Sequence, residues 1–100
     1  MIIENPTNLD EYLKNDSVIL VFSTQSCGHC QALKPVLGKI AQIHKSINVI
    51  IVDARENPKL NVKFKVMSLP TVIFLRAGKE QKRLTGFHSQ EKIEREFKLE

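Results

Sequence analysis

An α/β fold, with a mixed central β-sheet flanked by helices on both faces, follows from three observations in this sequence. Val18-Ile19-Leu20-Val21-Phe22, Asn48-Val49-Ile50-Ile51-Val52-Asp53 and Thr71-Val72-Ile73-Phe74-Leu75 are continuous apolar runs rather than alternating ones. Such runs suit strands covered on both faces. Between the first two, Leu33, Leu37, Ile40, Ala41 and His44 recur at helical spacing, a stripe that can lie on a sheet. Strand, long helix, strand is a crossover unit, which joins parallel strands by a right-handed connection. With 100 residues, 42% of them hydrophobic, the chain suffices for one packed core without staples. No repeat, low-complexity stretch or linker divides it, so residues 1–100 read as a single domain.

The remaining elements fall into place around these. The N-terminal residues leave a first strand open. Thr7 with Asp10 reads as a capping box that starts a short helix through Leu9, Tyr12 and Leu13. Ser23-Thr24-Gln25-Ser26 is a polar turn after the first apolar run. Pro35 lies inside the long helical stripe, where it removes one main-chain hydrogen bond and should kink the helix without ending it. Asn57-Pro58 supplies an N-cap and a proline at the first helical position, and the short helix that follows is expected to bury Leu60 and Phe64. After the third apolar run, Ala77-Gly78-Lys79 makes a turn and Glu80 to Thr85 reads as an edge strand. Gly86 breaks the pattern, and Ser89 caps a terminal helix carrying Ile93 and Phe97 inward. Leu99-Glu100 reads as a cloning remnant.

Fifteen Lys and Arg stand against eleven Asp and Glu, a net charge of +4. The basic residues are scattered among acidic ones, as in Glu91-Lys92-Ile93-Glu94-Arg95-Glu96, and aromatics do not interleave with them. That pattern is a solvated surface rather than a nucleic-acid face. No apolar run approaches the length of a membrane span. The opening Met1-Ile2-Ile3-Glu4-Asn5-Pro6 lacks a basic region followed by a long apolar stretch, so a cytoplasmic location is expected.

Cys27-Gly28-His29-Cys30 holds the only two cysteines, between a strand-like run and a helical one. So short a loop removes little entropy from the denatured chain, so the pair is not a staple. A dithiol at this spacing reads as a redox centre that closes and opens a disulfide, moving two electrons each time. Cys27 should sit at the helix N-terminus, where unpaired N–H groups and the helix dipole stabilise an anion and make it the nucleophile. Cys30, one turn deeper, should be more buried and act as the resolving thiol: Cys27 attacks a disulfide, and Cys30 then attacks Cys27 to release reduced substrate. His29 can place a positive charge or an N–H donor near the Cys27 thiolate and raise the reduction potential, or it can simply face solvent. The alternative reading makes the two cysteines metal or iron–sulfur ligands. A structural zinc site wants four ligands, and the other histidines suit other roles: His44 a helix end, His88 a solvent-exposed turn. A cluster shared between two chains remains open on this reading.

The chain resembles the thioredoxin family along nearly its whole length. The resemblance rests on Cys27-Gly28-His29-Cys30, Pro35 five residues after the second cysteine, the Asp53 to Pro58 stretch, Ser68-Leu69-Pro70-Thr71, and Gly86. It implies a thioredoxin-like fold, a cis peptide bond before Pro70 opposite the cysteines, and extended main-chain pairing of substrate with Leu69. Gly28, Met67 and Gly86 would border the same groove, although Met67 suits core packing equally well. It also implies a protein-disulfide reductase or isomerase acting as a monomer on disulfide- or dithiol-containing proteins. No metal or organic cofactor is expected, and turnover would draw on a reductase or a low-molecular-weight thiol. An interaction module with incidental thiols would make the register of both prolines with the cysteines a coincidence. The departures are specific. Ser26 stands where Trp is usual, Val21 where thioredoxins proper place a buried Asp, and Ile51 where a Lys is common; the Gly-His pair resembles protein disulfide isomerases. Valine cannot accept a proton from Cys30, which leaves water, another group, or a slow second step.

Overall fold

A computed structural model describes residues 1–99. Its strands are β1 (Ile2–Glu4), β2 (Ser17–Ser23), β3 (Asn48–Asp53), β4 (Thr71–Arg76) and β5 (Lys79–Thr85). Its helices are α1 (Leu9–Leu13), α2 (Gly28–Ile43), α3 (Pro58–Lys63) and α4 (Gln90–Glu96), with a 3₁₀ turn at Ala54–Glu56. The five strands form one mixed sheet in the order β1-β3-β2-β4-β5. β1 and β2 both run parallel to β3, whereas β4 is antiparallel to β2 and to β5. The continuous apolar runs are therefore the three inner strands, where both faces are covered, and β5 is an edge as expected.

Alternation along those strands sends side chains to two cores. Ile19, Val21, Val49, Ile51, Val72 and Phe74 meet Leu33, Leu37 and Ile40 of α2, Ile93 of α4 and Phe97 at its C-cap. Val18, Leu20, Phe22, Ile50, Val52, Ile73 and Leu75 form the other, against Leu13. Burying each Leu or Ile of the α2 stripe contributes roughly 1.5–3 kcal/mol, which is why the helix continues through Pro35, itself exposed. Leu60 and Phe64 pack on the second core but stay half-buried, since α3 lies at its margin.

Several local expectations change. Thr7 does not cap α1: Asn8 holds the N-cap position, without a cap bond of its own, and its side chain donates to Glu11 instead. Asn57 likewise makes no cap bond to α3, because its amide donates to the Asp53 carbonyl at 2.8 Å. Ser23 is not in a turn. Its pairing with Asp53 keeps it in β2, buried. Leu99 packs against the first core, so that residue is part of the fold, and Glu100 lies outside the described residues. The open question at the N-terminus is answered by β1. The Ser89 cap is as expected, its hydroxyl accepting from the Lys92 N–H at 3.1 Å. At the β4–β5 hairpin Ala77 and Gly78 both have positive φ, which matches the turn type that fits the twist of two-residue hairpins.

His44 ends α2 and donates Nε2–H to Glu94 of α4 at 2.7 Å, tying the two helices on that face. This bond holds the Glu94 carboxyl below the ordinary carboxylate range. A carboxyl with a depressed folded pKa adds stability above its unfolded pKa and loses it as pH falls through the folded one. The Tm should therefore fall between about pH 5 and pH 3, and fall less in Glu94→Gln. Equal falls in both proteins would remove Glu94 as a cause.

Candidate active site

β2 delivers the cysteine pair. Its last residue, Ser23, leads through Thr24, Gln25 and Ser26 to Cys27, which is the N-cap of α2 in extended conformation. The Cys27 N–H donates to the Thr24 carbonyl at 3.3 Å and Gln31 Nε2 donates to the same oxygen at 3.2 Å, so the loop is pinned to the first turn of the helix. The Cys30 N–H donates to Cys27 Sγ at 3.2 Å. That is the bond by which an N-cap side chain satisfies an orphan helix donor, and here the acceptor is the sulfur. Cys27 is half-exposed, Cys30 is 2% exposed, and both are free thiols.

The two sulfurs differ in environment. Burial pushes the Cys30 thiol up, and its hydrogen bond with Cys27 acts in the same direction. Hydrogen bonds from the Thr24 main chain and the Ser23 hydroxyl oppose this without reversing it. Cys30 therefore stays a thiol at neutral pH, while Cys27 is half-exposed and its sulfur accepts one main-chain N–H, that of Cys30.

The Leu69–Pro70 peptide is cis, as the resemblance implied. Cys27 Sγ lies 3.9 Å from the Leu69 carbonyl oxygen, which brings the cysteine loop against the segment that opens β4. Pro70 is buried, and its carbonyl accepts from the Gly86 N–H at 2.8 Å. Gly86 has φ +84 at this approach, a conformation that favours glycine. Cys27, Cys30, Leu69, Pro70 and Gly86 are thus one connected site. Gly28 and His29 are exposed in the first turn of α2, and no hydrogen bond joins His29 to either sulfur among the described residues. Met67 is 93% exposed, which removes its core-packing reading.

Val21 and Ile51 face each other in register across β2 and β3, both in the apolar core. No three His, Cys, Asp or Glu side chains gather to hold a metal ion among the described residues. His44 is engaged by Glu94, and His88, half-buried rather than solvent-exposed, donates to the Thr85 carbonyl at 2.8 Å. The metal reading thus gains no further ligand from the described residues. One polar side chain near the site escapes the sequence patterns: Ser23, buried at the end of β2 four residues before Cys27. Its place directly after an unbroken apolar run was the available signal.

The thioredoxin family model matches residues 1–98. The chain belongs to the thioredoxin family. It is 33% identical over 89 residues to thioredoxin of Alicyclobacillus acidocaldarius, a match covering 87% of this chain and 85% of that one. Thioredoxin of Staphylococcus saprophyticus is 31% identical over 88 residues, covering 87% and 85%. Among solved structures, mitochondrial thioredoxin 3 from Saccharomyces cerevisiae, in its oxidized form, superposes with a TM-score of 0.84 at 26% identity, over 97% of this chain and 93% of that one. Thioredoxin from Trypanosoma brucei brucei reaches 0.87 at 22% identity, over 98% and 88%, a likeness of fold. The chain is thus a thiol–disulfide oxidoreductase of this family, with a mixed five-stranded sheet and a Cys-x-x-Cys pair.

Proposed function

We propose that this thioredoxin-family protein exchanges disulfides with protein substrates through a reversible Cys27–Cys30 bond, with Cys27 as nucleophile and Cys30 as resolving thiol. The observation that carries the reading is the asymmetry of the pair: Cys27 half-exposed with its sulfur accepting a helix N–H at 3.2 Å, Cys30 buried and held protonated. Attack by Cys27 forms a mixed disulfide, and attack by Cys30 on Cys27 expels the substrate as a thiol. The Leu69 main chain, 3.9 Å from Cys27 Sγ, is where an extended substrate segment pairs. Gly28, Met67, Pro70 and Gly86 border it. Main-chain pairing tolerates many sequences, so the substrate range is broad. The protein works as a monomeric single domain in the cytoplasm, with a reductase or low-molecular-weight thiol as its electron partner and no bound cofactor.

His29 sets the direction in this proposal. A donor or positive charge beside the Cys27 thiolate stabilises the dithiol form, which makes the disulfide the better oxidant. The test is the equilibrium reduction potential of the pair, read by alkylation and mass shift across defined thiol buffers. A value near about −270 mV marks a disulfide reductase, and one near about −180 mV marks an oxidant or isomerase. His29→Ala is expected to lower the potential by about 30 mV, the equivalent of about 1.4 kcal/mol for two electrons. An unchanged potential would remove His29 from the redox balance. Failure of Cys27 and Cys30 to form a disulfide in any buffer would overturn the whole proposal.

A further inference from the structure

Pairing of a substrate with Leu69 depends on how the chain from Phe64 to Pro70 is held, and β5 holds it at both ends. At the exit, the Gly86 N–H just beyond β5 donates to the Pro70 carbonyl at 2.8 Å. At the entry, Arg83 Nη2 donates to the Phe64 carbonyl at 2.8 Å, and Nη1 lies 3.5 Å from the Lys65 carbonyl oxygen. Between these anchors the Thr71 hydroxyl donates to the Ser68 carbonyl at 2.6 Å. The next carbonyl, that of Leu69, is the one 3.9 Å from Cys27 Sγ.

The entry needs an anchor because the chain is strained there. α3 has six residues and ends in a Schellman motif: the Val66 N–H donates to the Asn61 carbonyl at 2.9 Å and the Lys65 N–H to the Val62 carbonyl at 3.1 Å. That motif places its C′ residue in the left-handed region, where glycine is usual, and here it is Lys65 at φ +54. A helix this short has little stability of its own with which to hold such a residue. The Arg83 guanidinium offsets the strain, since it reaches carbonyls left orphaned at the negative end of the helix. Glu80 fixes the guanidinium in turn: Oε2 accepts from Nε and Oε1 accepts from Nη2, both at 2.6 Å. A two-point contact sets the orientation of the fork, which an ordinary surface ion pair does not. Arg83 also stands opposite Ile73 of β4 in register, so the pair ties the sheet edge directly to the end of α3.

We propose that Glu80 and Arg83 form a clamp that positions the Leu69 main chain for substrate, an inference that rests on the substrate pairing proposed above. Arg83 is a positioning residue, acting through the chain between Phe64 and Leu69. With the clamp released, Lys65 relaxes out of the left-handed region and Leu69 shifts relative to Cys27 Sγ. The dithiol itself is carried by the end of β2 and the first turn of α2, so its own chemistry stays as it was. A disulfide within a peptide, which pairs its main chain while its sulfur meets Cys27, then reacts more slowly. A small disulfide without a main chain does not.

Stopped-flow measurement on the reduced protein compares two such probes: 5,5′-dithiobis(2-nitrobenzoate), which has no main chain, and the symmetric disulfide of a short cysteine peptide. Arg83→Ala should slow attack on the peptide about tenfold, the equivalent of one main-chain hydrogen bond. Attack on the aromatic disulfide and the reduction potential of the pair should be unchanged. Arg83→Lys keeps the charge without the fork and should not restore the peptide rate. Glu80→Gln should show a smaller loss of the same selectivity, and it carries the test if Arg83→Ala folds poorly. Lys82→Ala removes the same charge from the same strand and breaks the Lys82–Glu96 pair at 3.2 Å, and it should change neither rate. An unchanged peptide rate in both Arg83→Ala and Glu80→Gln overturns the clamp, as does an equal loss toward both disulfides. A peptide methylated on the main-chain nitrogens flanking its cysteine tests the underlying reading. If the wild type attacks it as fast as the unmethylated peptide, pairing with Leu69 falls, and the clamp's role falls with it.

Discussion

Replacing Cys27 by serine is expected to abolish disulfide exchange, whereas Cys30→Ser stops it one step later with the substrate captured. The two outcomes differ because the proposed mechanism gives the two sulfurs different work. Cys27 is half-exposed at the N-cap of α2 and its sulfur receives the Cys30 N–H at 3.2 Å, so that sulfur is both reachable and hydrogen-bonded. A serine hydroxyl there is a far weaker acid than a thiol, and no base is hydrogen-bonded to that position among the described residues to activate it. Losing the nucleophile therefore costs at least about a thousandfold in rate. Cys30 is buried and stays protonated at neutral pH, so substrate reaches it only through Cys27. In Cys30→Ser the first attack proceeds and the mixed disulfide has no internal route out. Non-reducing electrophoresis and mass spectrometry should find the variant bound through Cys27 to substrate in near-stoichiometric yield. Capture by Cys27→Ser instead would reverse the assigned roles.

Much of this was legible in the sequence, and the reason is physical. β2, β3 and β4 are inner strands covered on two faces, so their residues had to be apolar without interruption. The α2 stripe is legible because one helix face alone meets the sheet. The pair Cys27 and Cys30 stood out by spacing, and its link to Pro70 and Gly86 came through the family resemblance. What stayed hidden depends on register between distant segments. β1 has three residues and exists because Ile2, Ile3 and Glu4 pair with Val49, Ile50 and Ile51. Ser23 looks like the start of a polar turn until its pairing with Asp53 extends β2 by one residue and buries it. Local capping patterns misled for a related reason. Thr7 and Asp10 have the spacing of a capping box, but the chain enters α1 one residue later, at Asn8.

Truncating Phe22 should produce the largest loss of stability available from a single side chain in β2. Its ring is fully buried on the central strand and lies between Val52 of β3 and Thr71 of β4 in register. It also meets the Phe64 ring at 5.8 Å between centroids, tilted by 55°. Phe22→Ala removes that packing and leaves a cavity between rigid strands that cannot close around it, a loss of about 3–5 kcal/mol. Against a total stability of roughly 5–15 kcal/mol, this should lower the Tm by more than about 12 °C. Phe64 offers the contrast, because it is half-buried at the end of α3 and part of its ring already faces water. Phe64→Ala should cost less than half as much, with a coupling of about 0.5–1.5 kcal/mol between the rings in a double-mutant cycle. Chemical denaturation of the three variants measures all of these terms. Equal losses from Phe22 and Phe64 would mean that the second core is centred on α3 and not on the sheet. If β2 is the pivot, the same loss of packing loosens the strand that ends at Ser23 and leads to Cys27. Phe22→Ala should then speed alkylation of the buried Cys30 more than that of Cys27.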